Sequence, residues 1–270
     1  MLVTVESGRA VRVAGDPDHP FTRGFLCAKV NRYVERTYQQ DRLLHPLRRV
    51  GPKGSGRFER TTWESALGEI ADRLNAIRNS SDGAQGILPY SYAGTMGMVQ
   101  GSSMDRRLFH RIGASMLDRT ICSMAGTVGM RMTVGANVGA DPEGIPQSDL
   151  ILLWGTNTLT ANPHLWPFVL EARERGTRVI AIDPIRTRTA AQCDEWISIR
   201  PGTDAALALG MMHVLFDRGL EDAAYLDAYT LGADQLRERA REYSPDRVSG
   251  ITGVPVETIV ALAEQYGRSK

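Results

Sequence analysis

The chain has 270 residues, of which 42% are hydrophobic and 23% charged, close to the average soluble globular composition. This length predicts two domains with part of a third, and the composition excludes a collagen-like chain and a disordered charged tail. Thirty-two basic against thirty-one acidic residues leave a net charge of +1, so no charge excess argues for nucleic acid or an anionic membrane as partner.

Leu2-Val3-Thr4-Val5 and Ala10-Val11-Arg12-Val13 alternate around Ser7-Gly8 and predict a β-hairpin. There is no basic n-region or long apolar run here, so no signal peptide is expected. Gly15 to Pro20 is a loop, and the basic stretch to Arg49 has no clear period. Gly51 to Gly56 is a turn or small linker. A helix then starts at Thr61 or Thr62, where Thr61 and Glu64 have capping-box spacing. Trp63, Leu67, Ile70, Leu74 and Ile77 form its apolar face, and Asp82-Gly83 ends it. Ile87 to Tyr92 reads as a buried strand. A glycine-rich stretch with Gly94, Gly97 and Gly101 follows, then a helix from about Ser102 to Ile112 closed by Gly113.

From Asp149 the pattern alternates strictly between strand and helix. Leu150 to Trp154, Val179 to Ile182 and Trp196 to Ile199 are expected strands. Leu165 to Arg175 and Asp204 to Arg218 are expected helices, the second capped by Thr203 or Asp204. This spacing predicts a parallel, doubly wound sheet. Residues from Glu221 onward read as helical, with Pro255 at a first helical position. Apolar runs break within about ten residues, short of the roughly 20 a membrane helix needs, so no direct membrane span is expected.

In a doubly wound sheet, ligands bind outside the carboxyl ends of the strands. Those ends here are Trp154-Gly155-Thr156-Asn157, Asp183-Pro184-Ile185-Arg186-Thr187 and Arg200-Pro201-Gly202-Thr203-Asp204. They offer glycines, hydroxyls, a carboxylate and a helix start, as a nucleotide-bearing ligand requires. No G-x-G-x-x-G follows the first strand, and the same residues also suit ordinary turns and caps. The three cysteines are too few for a disulfide framework. Cys122 lies among small residues and could serve as a nucleophile or soft-metal ligand, although a lone cysteine is more often a small buried hydrophobe. Cys27 has no partner at C-x-x-C spacing, and Cys193 reads as incidental. His19, His45, His110, His164 and His213 show no metal-ligand spacing.

Taken in order, these segments resemble the molybdopterin oxidoreductases of the dimethyl sulfoxide reductase family. Val11 to Pro20 followed by Arg23-Gly24-Phe25-Leu26-Cys27-Ala28-Lys29 is similar to the stretch that ends in the fourth ligand of the family's 4Fe-4S cluster. Asp41 to Leu47 and Thr61 to Leu67 resemble the segments that come next. Asp183-Pro184 with Arg186-Thr187, and then Arg200 to Leu207, carry the most specific likeness.

The resemblance implies α/β architecture: Rossmann-like domains preceded by a small β-rich remnant of an iron–sulfur domain. The expected boundaries are 1–48 for that remnant, 49–140 for an α/β domain with the molybdenum-ligand loop, and 141–270 for a dinucleotide-binding domain. It implies molybdenum on two molybdopterin guanine dinucleotides, and a 4Fe-4S cluster. Cys27 would ligate the cluster, Lys29 would lie between cluster and pterin, and Cys122 would ligate molybdenum. Trp154, Gly155, Thr156, Asn157, Asp183, Arg186, Gly202, Thr203 and Asp204 would hold one dinucleotide. The implied activity is transfer of an oxygen atom or hydride equivalent on a small-molecule redox substrate, with an iron–sulfur electron-transfer subunit as partner.

Departures from the family pattern matter. The family's C-x-x-C-x-x-x-C is absent, Val30 stands where glycine is common, and the family continues for several hundred residues more. The chain therefore reads as a piece of such an enzyme, with little or no catalysis by itself. It is expected in the cytoplasm, or in the periplasm if a twin-arginine signal lies upstream. Two alternatives are a metal-free structural or electron-conducting homologue, as in the large subunit of respiratory complex I, and an independent nucleotide-binding protein.

Overall fold

The computed structural model describes residues 1–92, 94 and 103–269. In chain order the elements are β1 (Leu2–Glu6), β2 (Arg9–Ala14), α1 (Tyr33–Tyr38), β3 (Leu47–Arg49), β4 (Phe58–Arg60), α2 (Trp63–Arg78), α3 (Met104–Ile112), α4 (Met124–Val134), β5 (Leu150–Trp154), α5 (Thr158–Ala161), α6 (Trp166–Glu174), β6 (Arg178–Ile182), β7 (Glu195–Ile197), α7 (Asp204–Asp217), α8 (Ala223–Tyr229), α9 (Ala233–Arg241), α10 (Pro245–Thr252) and α11 (Val256–Arg268). They fall into two compact units, one of residues 1–35 with 140–270 and one of residues 36–139.

The first unit carries a parallel sheet of order β5-β6-β7. Leu150 pairs with Arg178 and Trp154 with Ile182, and Ile180 pairs with Glu195. Side chains alternate between the two faces of each strand, and both faces here are apolar. Leu150, Leu152, Trp154, Ile180 and Ile182 pack with Leu207 of α7, Val248 of α10 and Ile259 of α11. Ile151, Leu153 and Val179 pack on the other side with Trp166 and Val169 of α6. Helices thus cover both faces, which is why these strands read as unbroken apolar runs. Arg218, after α7, pairs with Glu264 of α11.

The amino-terminal stretch belongs to the same unit. β1 and β2 form an antiparallel hairpin, with φ of +49° at Ser7 and +78° at Gly8, as a two-residue hairpin turn requires. The loop that follows is folded tightly enough that a Cβ on Gly15 would stand 1.9 Å from the carbonyl oxygen of Gly24, so only glycine fits. Phe21 stacks on Phe168 of α6 at 5.5 Å between ring centres. Arg23 lies 4.5 Å over the same ring and pairs with Glu171 at 3.0 Å. Phe25 meets His164 edge-on at 5.2 Å. The residues leading to Cys27 are therefore seated on α6.

The second unit opens with the β3–β4 hairpin, where Leu47 pairs with Arg60. Thr62, not Thr61, caps α2: its side chain accepts from the backbone N–H of Ser65 at 3.1 Å. Asn79 already ends the helix, ahead of Asp82-Gly83, and a 3₁₀ turn over Gly83–Gly86 follows. The apolar face of α2 is exposed, with Trp63 at 67% and Leu67 at 58% of full accessibility.

Ile87 to Tyr92 is not a strand. Ile87 is buried, but among the described residues no strand pairs with the segment, Pro89 has no N–H to donate, and Leu88 and Tyr90 are exposed. Its backbone is used instead by Ser115, whose N–H donates to Ile87, and by Arg119, whose side chain donates to Ser91. Gly97, Gly101 and Ser102 lie outside the described residues; α3 starts at Met104 and closes at Gly113, which takes the left-handed conformation.

The periodicity missed α1, the β3–β4 pair and α4. The third strand runs over Glu195–Ile197, one residue ahead of its expected start. Pro255 is the cap of α11 rather than its first turn. No helix among the described residues is long and apolar enough to cross a membrane.

Candidate functional site

Past the carboxyl ends of the parallel strands, backbone bonds hold the chain together for one more residue. Gly155 N–H donates to Ile182 at 2.9 Å and Asp183 N–H to Ile197 at 3.2 Å. The Trp154 indole N–H then donates to Asp204 Oδ1 at 2.7 Å. This bond ties the end of β5 to the first residue of α7.

Asp183 closes its own turn, with Oδ1 accepting from Ile185 N–H at 2.8 Å, while its carbonyl accepts from the Trp196 indole at 2.9 Å. Asn157 Oδ1 accepts from the buried Thr189 hydroxyl at 2.8 Å, and that hydroxyl accepts from Leu159 N–H at 2.9 Å. The Thr156 and Thr158 hydroxyls lie 3.4 Å apart. Gly202, at φ +78°, turns the chain into α7. Thr203 donates its hydroxyl to the Arg200 carbonyl at 2.7 Å, and Arg200 in turn reaches the carbonyl of Gly250 at 2.7 Å.

The result is a rim with two half-used carboxylates. The second oxygens of Asp183 and Asp204 accept no hydrogen bond among the described residues. Arg186 is exposed beside Asp183. Nothing stands within 4 Å of where a Cβ would project from Gly155 or Gly202, so the rim is open. The start of α7 adds backbone N–H groups and the positive end of a helix dipole.

Cys27 is partly buried in the first unit, where its carbonyl accepts from Val30 and Asn31 N–H at 3.0 and 3.2 Å. Lys29 is exposed in the turn that follows. Cys122 belongs to the second unit and is exposed immediately before α4. The Tyr92 hydroxyl accepts from the backbone N–H of both Ile121 and Cys122, at 2.6 and 2.9 Å. Tyr92, Thr189 and Trp196 were not singled out from the sequence. Their partners lie 13 to 32 residues away, and no local spacing marks them.

Cys193 is half-buried against the α6 side of the sheet and donates its thiol to the Thr189 carbonyl at 3.2 Å. Burial pushes this thiol above its ordinary range; Arg173 opposes the rise and Asp194 adds to it. It is a side chain packed against the sheet.

The rim carries the kinds of donor and acceptor groups that a nucleotide-bearing ligand would need. Guanine presents N1–H and an exocyclic amine, which a carboxylate accepts as a pair, and a pyrophosphate suits a helix start. A 4Fe-4S cluster is a different matter. It requires four thiolates, the chain has three cysteines, and no group of three or more His, Cys, Asp or Glu side chains converges among the described residues. The cysteines of this chain by themselves cannot hold such a cluster.

The molybdopterin oxidoreductase family profile matches residues 42–264, and the molybdopterin oxidoreductase Fe4S4 domain profile matches residues 1–39. The chain is 44% identical over 269 residues to the probable oxidoreductase YoaE of Bacillus subtilis, covering 100% of this chain and 39% of the relative. It is 27% identical to the thiosulfate reductase molybdopterin-containing subunit PhsA of Salmonella typhimurium, covering 97% and 34%. Among solved structures, acetylene hydratase from Pelobacter acetylenicus matches with a TM-score of 0.74 at 29% identity, covering 97% of this chain and 36% of that one. The chain thus spans little more than a third of the length of these relatives. Parallel sheet, open carboxyl-edge rim and both profile matches lead to one conclusion: the chain belongs to the molybdopterin oxidoreductase family, whose enzymes bear a molybdenum–pterin cofactor and a 4Fe-4S cluster.

Proposed function

We propose that this chain is the dinucleotide-holding part of a molybdenum-dependent oxidoreductase acting on a small-molecule substrate. In this reading the carboxyl edge of β5, β6 and β7 holds one of two molybdopterin guanine dinucleotides. The bond from Trp154 to Asp204 is the observation that carries it. That bond fixes one carboxylate oxygen of an exposed side chain at the first residue of α7, and the other oxygen accepts no hydrogen bond among the described residues. Asp183 is used the same way by its own turn. Both carboxylates are held in place before any ligand arrives, so binding has little ordering to do.

Gly202 and Thr203 would let the backbone approach a pyrophosphate, and the exposed Arg186 would meet a phosphate or ribose. The bound cofactor supplies two-electron redox chemistry, moving an oxygen atom or a hydride equivalent. Cys122 is assigned as the thiolate that ligates the metal. Lys29 is assigned a charge near the pterin, and the iron–sulfur cluster would draw on Cys27 together with cysteines from outside this chain. An iron–sulfur subunit is the proposed electron-transfer partner; the word subunit in the name of the thiosulfate reductase relative supports it.

The test uses the full-length protein, purified with its cofactor. Metal analysis should find molybdenum, and acid hydrolysis should release guanine nucleotide in about twofold excess over the metal, as two dinucleotides per molybdenum demand. Asp204→Asn should lower the guanine nucleotide retained. Full retention with Asp204→Asn and Asp183→Asn combined would remove the rim from the binding site. A redox dye assay comes next, since one structural relative is named a hydratase, and hydration transfers no electrons.

A further inference from the structure

The loop that carries Cys122 is held by very little packing. Ile121 is 77% accessible and Cys122 is exposed. Ser123 occupies the N-cap of α4, yet its side chain makes no capping bond. Among the described residues, neither a buried side chain of the loop nor a side-chain helix cap fixes the direction in which the Cys122 side chain leaves the backbone. Hydrogen bonds donated to Ser91 and Tyr92 do so instead. Arg119 donates from Nε to the Ser91 carbonyl at 2.9 Å and from a terminal nitrogen to the Ser91 hydroxyl at 3.2 Å. Two residues further on, the Tyr92 phenolic oxygen accepts from Ile121 N–H at 2.6 Å and Cys122 N–H at 2.9 Å.

We propose that Tyr92 is the positioning residue of the Cys122 loop, using one phenolic oxygen to fix two consecutive peptide groups and through them the bearing of the Cys122 thiol. The inference rests on the reading of Cys122 as the metal's ligand. The phenolic oxygen is a hydrogen-bond acceptor, and here two consecutive amides share it. Two donors converging on one atom restrict the rotation of both peptide planes, which a single bond would not. The tyrosine ring is itself steadied, lying stacked with Tyr90 at 6.3 Å between centres.

The experiment uses the full-length protein in cofactor-free and molybdenum-loaded forms. Amide hydrogen exchange is followed in the first and the electron paramagnetic resonance of the Mo(V) state in the second. With Tyr92→Phe the ring stays and the acceptor goes, so exchange at Ile121 and Cys122 should rise by about fivefold, as loss of one hydrogen bond each implies. The Mo(V) spectrum should shift in g-anisotropy at unchanged molybdenum content. Tyr90→Phe, which keeps the stacking partner, should change neither.

Unchanged amide exchange with Tyr92→Phe overturns the proposal. So does faster exchange with an unaltered Mo(V) spectrum, because the anchor then does not reach the metal. Equal shifts from Tyr90→Phe, which removes a hydroxyl that neither amide uses, would show that the effect is not particular to the Tyr92 acceptor and overturn it as well. If Tyr92→Phe fails to take up molybdenum, amide exchange alone decides. Cys122→Ser separates the two readings: a Mo(V) spectrum identical to wild type removes Cys122 as ligand, whatever the amides show.

Discussion

Two of the three cysteines invite a direct comparison of environment. Cys122 is exposed, whereas Cys193 is half-buried, donates to the Thr189 carbonyl and has a thiol raised by burial. The thiolate is the reactive form. In the cofactor-free protein, iodoacetamide should therefore modify Cys122 well before Cys193, as read by peptide mass spectrometry over time. The reverse order would contradict the placement of both residues.

The raised Cys193 thiol also sets a pH dependence. The folded state holds the proton to higher pH than the unfolded chain does, so the stabilisation is complete below the ordinary thiol range. It is lost as pH rises through the folded value. Urea midpoints measured at about pH 7 and about pH 10 should fall less in Cys193→Ala than in the wild type, since only the wild type has this thiol to deprotonate. At the same scale, Gly202→Ala places a Cβ at φ +78° in open space. Only backbone strain is added, about 1–2 kcal/mol. The unfolding midpoint should drop accordingly, and guanine nucleotide retention with it.

At the scale of elements, α7 and α10 meet through a glycine. A Cβ on Gly210 would stand 2.9 Å and 3.0 Å from the two methyl groups of Val248, which is fully buried. Replacing glycine by alanine within a helix gains about 1 kcal/mol in propensity, but overpacking a full core costs about 1–3 kcal/mol. The overpacking wins here because both contacts are branched methyls with no free space to yield into. Gly210→Ala should lower stability in chemical denaturation, and adding Val248→Ala should recover part of the loss. Strict additivity of the two would show that the helices do not touch there.

β5, β6, α6 and α7 were legible in the sequence because both faces of the sheet are covered, so apolar runs and glycine stops coincide with the elements. α4 was not legible: its sequence MAGTVGMRMTV carries two glycines and no polar face. Ile87 to Tyr92 has the composition of a strand but no partner strand among the described residues. The rim residues were visible from their position at strand ends, whereas the Tyr92 contact joins segments 30 residues apart and leaves no local trace.

Across the whole molecule, burial is unevenly shared. Nearly all fully buried side chains belong to the first unit, among them Phe168, Ile180, Ile182, Leu207, Ile259 and Leu262. In the second unit the buried hydrophobics among the described residues are Ile87 and Ala114, while Trp63, Leu67 and Ile70 of α2 stand exposed. Resistance to local opening follows buried apolar contact. Hydrogen exchange on this 270-residue chain should therefore show strong protection in β5, β6, α7 and α11 and weak protection in α2, α3 and α4. Because Leu67 and Ile70 are already more than half exposed, changing both to Ser removes little buried area. It should raise solubility at an unchanged unfolding midpoint, within about 0.5 kcal/mol. A midpoint that falls by several kcal/mol would mean that the α2 face is packed against something in the folded chain, and the weak protection expected for this unit would be wrong with it.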